Sequence, residues 1–358
     1  DIKEDLKKVV GDKDFKPDII VGSPPCTQFS YSNRGGSGDI EDGLVDIRKF
    51  LEIVDVLGPE CWAMENVPRV ETILRQELQE GGTLSQFSNL FENAHIGTFD
   101  MSEFGLPQRR RRCIAGNFDP GLLEAYASCA RKRTLGDVIS ALQSGRQVRD
   151  PIYNLKLSHN ALTETENEEP LTPHEERYNR EMKEYHPVYN NMAFPDPLER
   201  AVRTITATCT RVSRESVVID DPDGSGLFRR LNVRERASLQ GFPIDFQFLG
   251  ESHSEKLKLV GNALPPLFSY YIGHALIRSK ADAVEEVGQK KPELDGAEVP
   301  LCDTTPDKPG SAYPRSRSFR FAIRGLRFKS GMRFELRNIA TDGNVDWEGG
   351  FHFGSSKD

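Results

Sequence analysis

The chain has 358 residues, of which 37% are hydrophobic and 28% charged, and its formal net charge at pH 7 is −8. This length and composition predict a soluble globular protein of one large or two ordinary domains, and no apolar run approaches the roughly 18 residues that a membrane span needs. The negative net charge excludes a uniformly basic nucleic-acid binder, so any nucleic-acid site must be a local patch.

The six cysteines are scattered, and none forms a Cys-x-x-Cys pair. We therefore expect no metal site and no disulfide framework, and we expect a reducing, cytoplasmic compartment. The chain opens with Asp-Ile-Lys-Glu, which is neither an initiator methionine nor a signal pattern. We expect both ends to be cut from a longer polypeptide.

The first 118 residues contain apolar runs of alternating strand and helix length. A short amphipathic helix is predicted before Gly11, and the first strand is predicted at 19–21. The elements predicted next are a Gly- and Ser-rich lid loop at 31–41, helices at 44–57, 70–78 and 84–91, and strands at 61–64, 96–99 and 113–118. Strands that alternate with helices predict a doubly wound α/β sheet.

Beyond residue 118 the pattern loosens. The elements predicted here are a helix at 134–142, a loop-rich recognition segment at 147–200, ordered stretches at 202–206 and 217–219, helices at 234–239 and 264–277, and a linker at 283–312. A solvated insertion is the alternative for 147–200. Apolar residues alternate with Arg and Lys over 319–337, which predicts half-buried strands with one basic face. That face is either a nucleic-acid surface or an edge sheet kept soluble by its charges.

Four polar clusters each follow a predicted strand or open a helix. They are Pro24-Pro25-Cys26, Glu65-Asn66-Val67, Gln108-Arg-Arg-Arg-Arg112 and Gly261-Asn262-Ala263-Leu264-Pro265-Pro266. A cysteine suggests a nucleophile, and a carboxylate at a neighbouring strand end could reach the same substrate. Alternation puts Arg110 and Arg112 on one face with Gln108, where guanidinium groups suit phosphates or position a carboxylate. Each cluster alone also suits an ordinary turn, ion pair or helix cap.

In this order the motifs resemble those of the DNA cytosine-C5 methyltransferases, over residues 1 to about 280. Ser23-Pro-Pro-Cys-Thr-Gln-Phe-Ser30 resembles the family's catalytic loop, and Glu65-Asn66-Val67 resembles its Glu-Asn-Val motif. Gln108-x-Arg110-x-Arg112 resembles its Gln-x-Arg-x-Arg motif. Arg234-Glu235 with Leu239-Gln-Gly-Phe-Pro243 resembles the motif that supports the target-recognition domain, and 261–266 resembles the final motif, which returns to the cofactor pocket.

The resemblance implies a Rossmann-like S-adenosylmethionine-dependent methyltransferase sheet, truncated at its N-terminus, with a small loop-rich target-recognition domain and a C-terminal β-rich extension. The implied divisions are the catalytic domain at 1–118, the target-recognition region at 119–200, its support and the return to the catalytic domain at 201–282, the linker at 283–312 and the basic extension at 313–358.

The resemblance also implies residue roles. Cys26 would add to C6 of a flipped cytosine, and the catalytic set would be completed by Glu65, Arg110 and Arg112. The residues expected to bind the cofactor are Asp1, Ile2, Pro24, Asn262 and Ala263. Those expected to bind the substrate are Gln28, Ser30, Asn66, Gln108, Arg234 and Glu235. The implied cofactor is S-adenosyl-L-methionine, and the implied partner is double-stranded DNA, bound by a monomer without a metal or a membrane, in a bacterial restriction–modification or other DNA-modification setting.

The chain departs from the family pattern at two points. Thr27 stands where the family usually has Gln, and no Phe-x-Gly-x-Gly cofactor loop precedes Cys26. We therefore expect that loop to be missing upstream or to come from a second polypeptide. The alternatives are a tRNA cytosine-C5 methyltransferase, a DNA-binding half of a split enzyme, and a cysteine hydrolase. The hydrolase is disfavoured because only His95 lies near a strand end in the first 120 residues.

Overall fold

The computed structural model describes residues 4–5, 8, 16–26, 28–29, 39–143, 145–184, 192–284, 303–310, 319–327, 333–341 and 344–352. Most of the helix predicted before Gly11, most of the predicted lid loop and much of the predicted linker lie outside this part, as do Asp1, Ile2 and Ser30. Within the described ranges, no helix is long and apolar enough to cross a bilayer.

A four-stranded sheet organises the first part of the chain. The strands of this part are β1 (Ile19–Gly22), β2 (Cys61–Asn66), β3 (His95–Asp100), the short β4 (Gln108–Arg109) and β5 (Arg111–Gly116). The sheet order is β1-β2-β5-β3, with β1 parallel to β2 and β5 antiparallel to both its neighbours. The connection between β3 and β5 is short and contains a 3-10 turn at 101–104 and the strand β4. Parallel neighbours need a longer crossover, usually a helix, so β5 runs antiparallel to β3 and the sheet is mixed.

Helices cover both faces of this sheet, which confirms the predicted α/β class. The α-helices given bounds in the described residues are α1 (Ile40–Leu57), α2 (Arg69–Glu77), α3 (Pro120–Cys129), α4 (Leu135–Leu142), α5 (Pro173–Lys183), α6 (Val233–Leu239), α7 (His253–Asn262) and α8 (Pro266–Leu276). Trp62 and Met64 of β2 pack with α1 and α2, while Ala63 packs with α3 and α8 on the opposite face. This alternation is the two-residue period of a strand that is buried on both sides.

A second core lies beyond α3 and contains α4, α6 and α7. Its short strands are β6 (Gln147–Arg149), β7 (Lys156–Ser158), β8 (Val202–Arg203), β9 (Val218–Asp220) and β10 (Phe228–Arg230). Residues such as Val138, Ile219 and Val260 meet in this core. Because Leu123 and Tyr126 of α3 are buried in the core of the first sheet, we propose that the boundary predicted after residue 118 lies at the end of α3.

Three helices are absent from the sequence prediction: α3, α5 and α7. Both α5 and α7 begin with a capping box, in which the N-cap hydroxyl and a carboxylate three residues later satisfy each other's backbone N–H groups. The pairs are Thr172 with Glu175, and Ser252 with Glu255. Both Ser/Thr-x-x-Glu patterns are visible in the sequence. Because α5 lies within 147–200, that segment is less loop-rich than predicted.

Part of the predicted linker packs on the second core. The backbone N–H and the hydroxyl of Thr304 donate to the Glu164 carboxylate at 2.8 and 2.9 Å, and the Gly310 N–H donates to Glu175 at 3.0 Å. Residues 303–310 therefore form an ordered strap rather than a free connection.

The strands predicted over 319–337 are confirmed as β11 (Phe319–Arg327) and β12 (Arg333–Thr341), and β13 (Asn344–His352), beyond the predicted range, completes an antiparallel sheet. Its register pairs Arg320 with Arg337 and Arg327 with Arg333. The role of this sheet in nucleic-acid binding stays a prediction.

Candidate catalytic site at the strand ends

The Cys26 loop follows β1 and is fastened to α1. The Phe29 N–H donates to the Cys26 carbonyl at 3.0 Å, and the Phe29 ring is fully buried. The Gln28 amide donates to the Asp42 carboxylate at 2.6 Å and accepts from the Asp39 N–H at 3.1 Å. The side chain predicted to bind substrate thus fixes the loop to the start of α1, while the Cys26 thiol keeps partial exposure.

Glu65 stands at the end of β2 and is held by two side chains. The Ser23 hydroxyl donates to Glu65 Oε2 at 2.5 Å, and Arg112 Nε lies 2.8 Å from Glu65 Oε1. The side chains of Glu65 and Arg112 retain 11% and 15% exposure, so the pair is shielded but reachable. Ser23 belongs to the same loop as Cys26, and its contact with Glu65 is a site feature to which the sequence prediction gave no role.

Asn66 links the same two strand ends through the backbone. Its amide donates to the Pro24 carbonyl at 3.1 Å, its oxygen accepts from the Val67 N–H at 2.9 Å, and it is 2% exposed. A buried amide with its donor and acceptor engaged acts as a brace for the loop. We therefore propose a structural role for Asn66 instead of the predicted contact with substrate.

Arg110 joins three segments that are distant in sequence. Its Nη1 donates to the Ile205 carbonyl at 3.1 Å, and its Nη2 donates to the carbonyls of Gly261 and Ala263 at 2.9 and 3.1 Å. The residue is 1% exposed, and its neighbours on either side in sequence are exposed, so the predicted alternation is present. Because its guanidinium is occupied by backbone carbonyls, we propose that Arg110 organises the site, and that Arg112 is the arginine that reaches the chemistry.

Electrostatic interactions link Arg110 to charged groups of the other sequence motifs. Burial and repulsion by Arg112 lower the pKa of Arg110 to about 9, while Glu65 and Cys26 act in the opposite direction. Arg110 is thus close enough to Arg112, Glu65 and Cys26 to interact with their charges, and we propose that these four residues form one site.

Gln108 is an internal connector between the two cores. Its amide donates to Gln240 Oε1 at 2.6 Å and to the Leu239 carbonyl at 3.2 Å, and its oxygen accepts from the Ile205 N–H at 2.8 Å. Gln240 in turn donates to the Ala263 carbonyl at 2.7 Å. Because Gln108 is fully buried, we propose a structural role for it instead of the predicted contact with substrate. Gln240 belongs to the motif at 239–243, and the sequence prediction assigns it no role.

Arg234 and Glu235 lie inside the second core. Arg234 donates to the Thr163 and Phe246 carbonyls at 3.0 and 2.9 Å, and burial lowers its pKa to about 10. Glu235 forms a 2.8 Å ion pair with Arg229 and completes the capping box of α6. Both side chains are at most 2% exposed, so we propose that they hold the second core together and do not contact substrate as predicted.

The residues predicted to bind the cofactor form an incomplete pocket. Asp1 and Ile2 lie outside the described residues. The Pro24 carbonyl already accepts an amide, and the Ala263 carbonyl accepts two side-chain donors. The Asn262 side chain is exposed at the last residue of α7 and is free to contact a ligand. Among the described members of this set, Asn262 is therefore the residue whose side chain is exposed.

This arrangement combines a partly exposed thiol with a carboxylate whose orientation is fixed by Arg112 and Ser23. A thiolate can add to an electron-poor ring carbon while a carboxylate stabilises charge on a neighbouring ring nitrogen. A thiol and an oriented carboxylate at the strand ends of an α/β sheet are typical of an enzyme that reacts through a nucleophile.

The model of the family described as C-5 cytosine-specific DNA methylase matches residues 1–278, and the chain belongs to this family. The Type II methyltransferase M1.HphI of Haemophilus parahaemolyticus is 28% identical over 282 residues, covering 74% of this chain and 69% of that protein. M.Bpa9945I of Bacillus paralicheniformis is 28% identical, covering 72% and 70% of the two chains. M.HindV of Haemophilus influenzae is 24% identical, covering 80% and 84%.

Proposed function

We propose that this chain methylates cytosine in double-stranded DNA at C5, with Cys26 as the nucleophile. The observation that carries the proposal is the Ser23–Glu65–Arg112 contact, which joins the cysteine loop to the strand-end carboxylate at 2.5 and 2.8 Å. The relatives are named as Type II methyltransferases, which supports a bacterial restriction–modification setting.

Each group has a defined task in this proposal. C5 of cytosine is a poor nucleophile, and addition of the Cys26 thiolate to C6 turns the ring into an enamine-like species that reacts at C5. Glu65 holds N3 and the exocyclic amine as charge develops, and Arg112 keeps its carboxylate in place. Loss of the C5 proton after methylation lets Cys26 leave. The reacting atoms are inaccessible in a stacked duplex, so the base must be flipped out.

S-adenosylmethionine supplies the methyl group when it is bound. We propose that a segment or second polypeptide carrying the cofactor loop pairs with the free edge of β1. In the described part of the chain β1 pairs with β2 alone, and Ile19 and Val21 of this edge strand are 40% and 65% exposed although both are apolar. An added parallel strand would cover them and would bring a cofactor loop beside Pro24.

The second core, with its short strands and α5, is the proposed target-recognition domain. The internal connectors Gln108 and Arg110 fix it against the catalytic sheet, so that contacts with base edges are held at a constant distance from Cys26. Precise positioning of this kind is what a reaction on one flipped base requires.

The test is transfer of a labelled methyl group from S-adenosylmethionine to duplex DNA, with the complete gene product and its Cys26→Ala variant. We expect labelled C5-methylcytosine with the unaltered protein, no transfer with the variant, and DNA binding by both. Turnover by the variant would remove the mechanism, and transfer to tRNA but not to DNA would replace the proposed substrate.

A further inference from the structure

A small cavity lies beside the short strands β4 and β8, where the catalytic sheet meets the second core. Its volume is about 190 Å³, and it is lined by Arg109 of β4 and Arg203 of β8. These two arginines are neighbours in the parallel register of the strands. The segment that leads into β8 supplies the rest of the lining, including Arg200 and Asp196. We call this cavity the arginine pocket.

Positive charge exceeds negative charge in the arginine pocket. Three arginines line it with one carboxylate, so its lining carries a net charge of +2. The carboxylate, that of Asp196, already pairs with Arg203 and accepts the Val218 N–H at 3.0 Å. The charges of Arg109 and Arg200 are therefore left without a balancing carboxylate in this lining.

The side chains of Arg109 and Arg200 are available to a ligand. Both residues are exposed, and in the part of the chain that the structure describes neither guanidinium has a hydrogen-bond or ion-pair partner. Their backbones are held in place, because the Arg109 carbonyl accepts the Thr204 hydroxyl and the Arg200 carbonyl accepts the Leu135 N–H, each at 2.9 Å. Two fixed, unpaired guanidinium groups on one cavity suit a bound anion.

The arginine pocket is close to the catalytic groups along the chain. Arg109 stands three residues before Arg112, which pairs with Glu65. Three residues of extended chain span about 10 Å at most. Double-stranded DNA carries one negative charge per about 1.7 Å of its axis, so a duplex with one base at Cys26 presents phosphates at this distance.

We propose that the arginine pocket holds a phosphate group of the DNA backbone while the target cytosine occupies the catalytic site. This inference rests on the proposed function, because it takes duplex DNA as the substrate. The paired N–H donors of a guanidinium match the oxygens of a phosphate, and the group stays charged throughout the working pH range. Such a contact does not depend on the base sequence, and it fixes the position of the duplex relative to Cys26.

The experiment measures how the affinity for DNA depends on salt. Binding of the complete gene product to a fluorescent duplex oligonucleotide is followed by anisotropy over a series of NaCl concentrations. Each phosphate that the protein neutralises releases counterions, so the slope of log K against log salt reports the number of contacts. We expect the double variant Arg109→Gln, Arg200→Gln to reduce the size of this slope by about 1, and to weaken binding by the same factor for two unrelated sequences. An unchanged slope would overturn the proposal.

Two control variants separate this contact from a general loss of charge. Lys49→Gln with Lys280→Gln removes two exposed positive charges outside the pocket lining, and it should leave the slope unchanged. Arg109→Lys with Arg200→Lys keeps the pocket charged and should retain most of the slope. Circular dichroism checks that each variant folds. A loss of slope as large in the Lys49 and Lys280 control as in the arginine variant would contradict a specific pocket.

A tRNA arm separates this inference from the proposed function. If the glutamine double variant weakens binding of tRNA and leaves the slope for duplex DNA unchanged, the pocket serves RNA and the inference is wrong. If the unaltered protein binds no duplex DNA, the proposed function fails together with the inference. If the unaltered protein binds and methylates duplex DNA but the double variant keeps its slope, the inference alone fails.

Discussion

Replacing Arg110 with Met should lower the free energy of unfolding, because Arg110 links the catalytic sheet to the second core. The Ile205 and Gly261 carbonyls lose the donors at 3.1 and 2.9 Å, whereas Ala263 keeps the amide of Gln240. Each buried carbonyl left without its donor costs about 1–3 kcal/mol. Removing a guanidinium that burial disfavours offsets part of this loss, so we expect a net destabilisation of about 2–4 kcal/mol.

The matched control is Arg112→Met, two residues further along the chain and within β5. Its guanidinium pairs with Glu65, and both side chains keep contact with solvent. We expect this variant to lose about 1 kcal/mol of stability, less than Arg110→Met, and to lose methyl transfer.

The assay for both variants is urea unfolding followed by tryptophan fluorescence, in Trp347→Phe variants so that the signal comes from Trp62, which is 3% exposed in the core of the catalytic sheet. A drop in the midpoint that is larger for Arg110→Met supports the division between an organising arginine and a reacting one. Equal stability of Arg110→Met and the unaltered chain, or the reverse order of the two variants, would refute it.

Three further changes test other parts of the structure. Glu65→Gln keeps the size of the side chain and removes its charge, so turnover should fall by about 10²-fold or more with DNA binding intact; undiminished turnover contradicts the role of the carboxylate. Thr172→Ala removes the cap of α5 and should lower the free energy of unfolding by about 1 kcal/mol in urea titrations, and no change would mean that the cap is dispensable. Lys183 is fully buried, and burial lowers its pKa to about 7, so the unfolded chain binds more protons between pH 7 and the ordinary lysine pKa. Stability should therefore rise from pH 7 to pH 9, by at most about 1.4 kcal/mol per pH unit from this group, and Lys183→Met should abolish that part of the rise; a rise of equal size in the variant contradicts the assignment.

The sequence predicted the catalytic sheet well because its signals are local. An apolar run that ends in Gly, Pro and a polar side chain marks a strand end, and this placed Cys26 and Glu65 correctly at β1 and β2. The alternation in Gln108-x-Arg110 likewise predicted that both side chains share a face. No local sequence pattern predicts the antiparallel direction of β5. That direction follows from the short connection between β3 and β5, which leaves no room for a crossover helix.

The roles of individual polar residues could not be read in the same way. A glutamine or arginine in a motif suits contact with a ligand as well as a buried hydrogen bond, and the choice depends on partners far along the chain. Arg110 finds its acceptors 95 to 153 residues away, and Arg234 donates to a carbonyl 71 residues away. Helices α5 and α7 are a different case, because their capping boxes are local patterns that can be read from the sequence.

The most direct test of the central claim is covalent trapping of the reacting cysteine. The complete gene product is incubated with S-adenosylmethionine and a duplex in which 5-fluorocytosine replaces cytosine, because fluorine at C5 cannot leave as a proton and blocks release of the thiol. The account predicts a denaturation-stable protein–DNA adduct that maps to the peptide containing Cys26 and is absent from Cys26→Ala. An adduct on another cysteine, or methyl transfer to ordinary duplex DNA by a protein that forms no adduct, would contradict it.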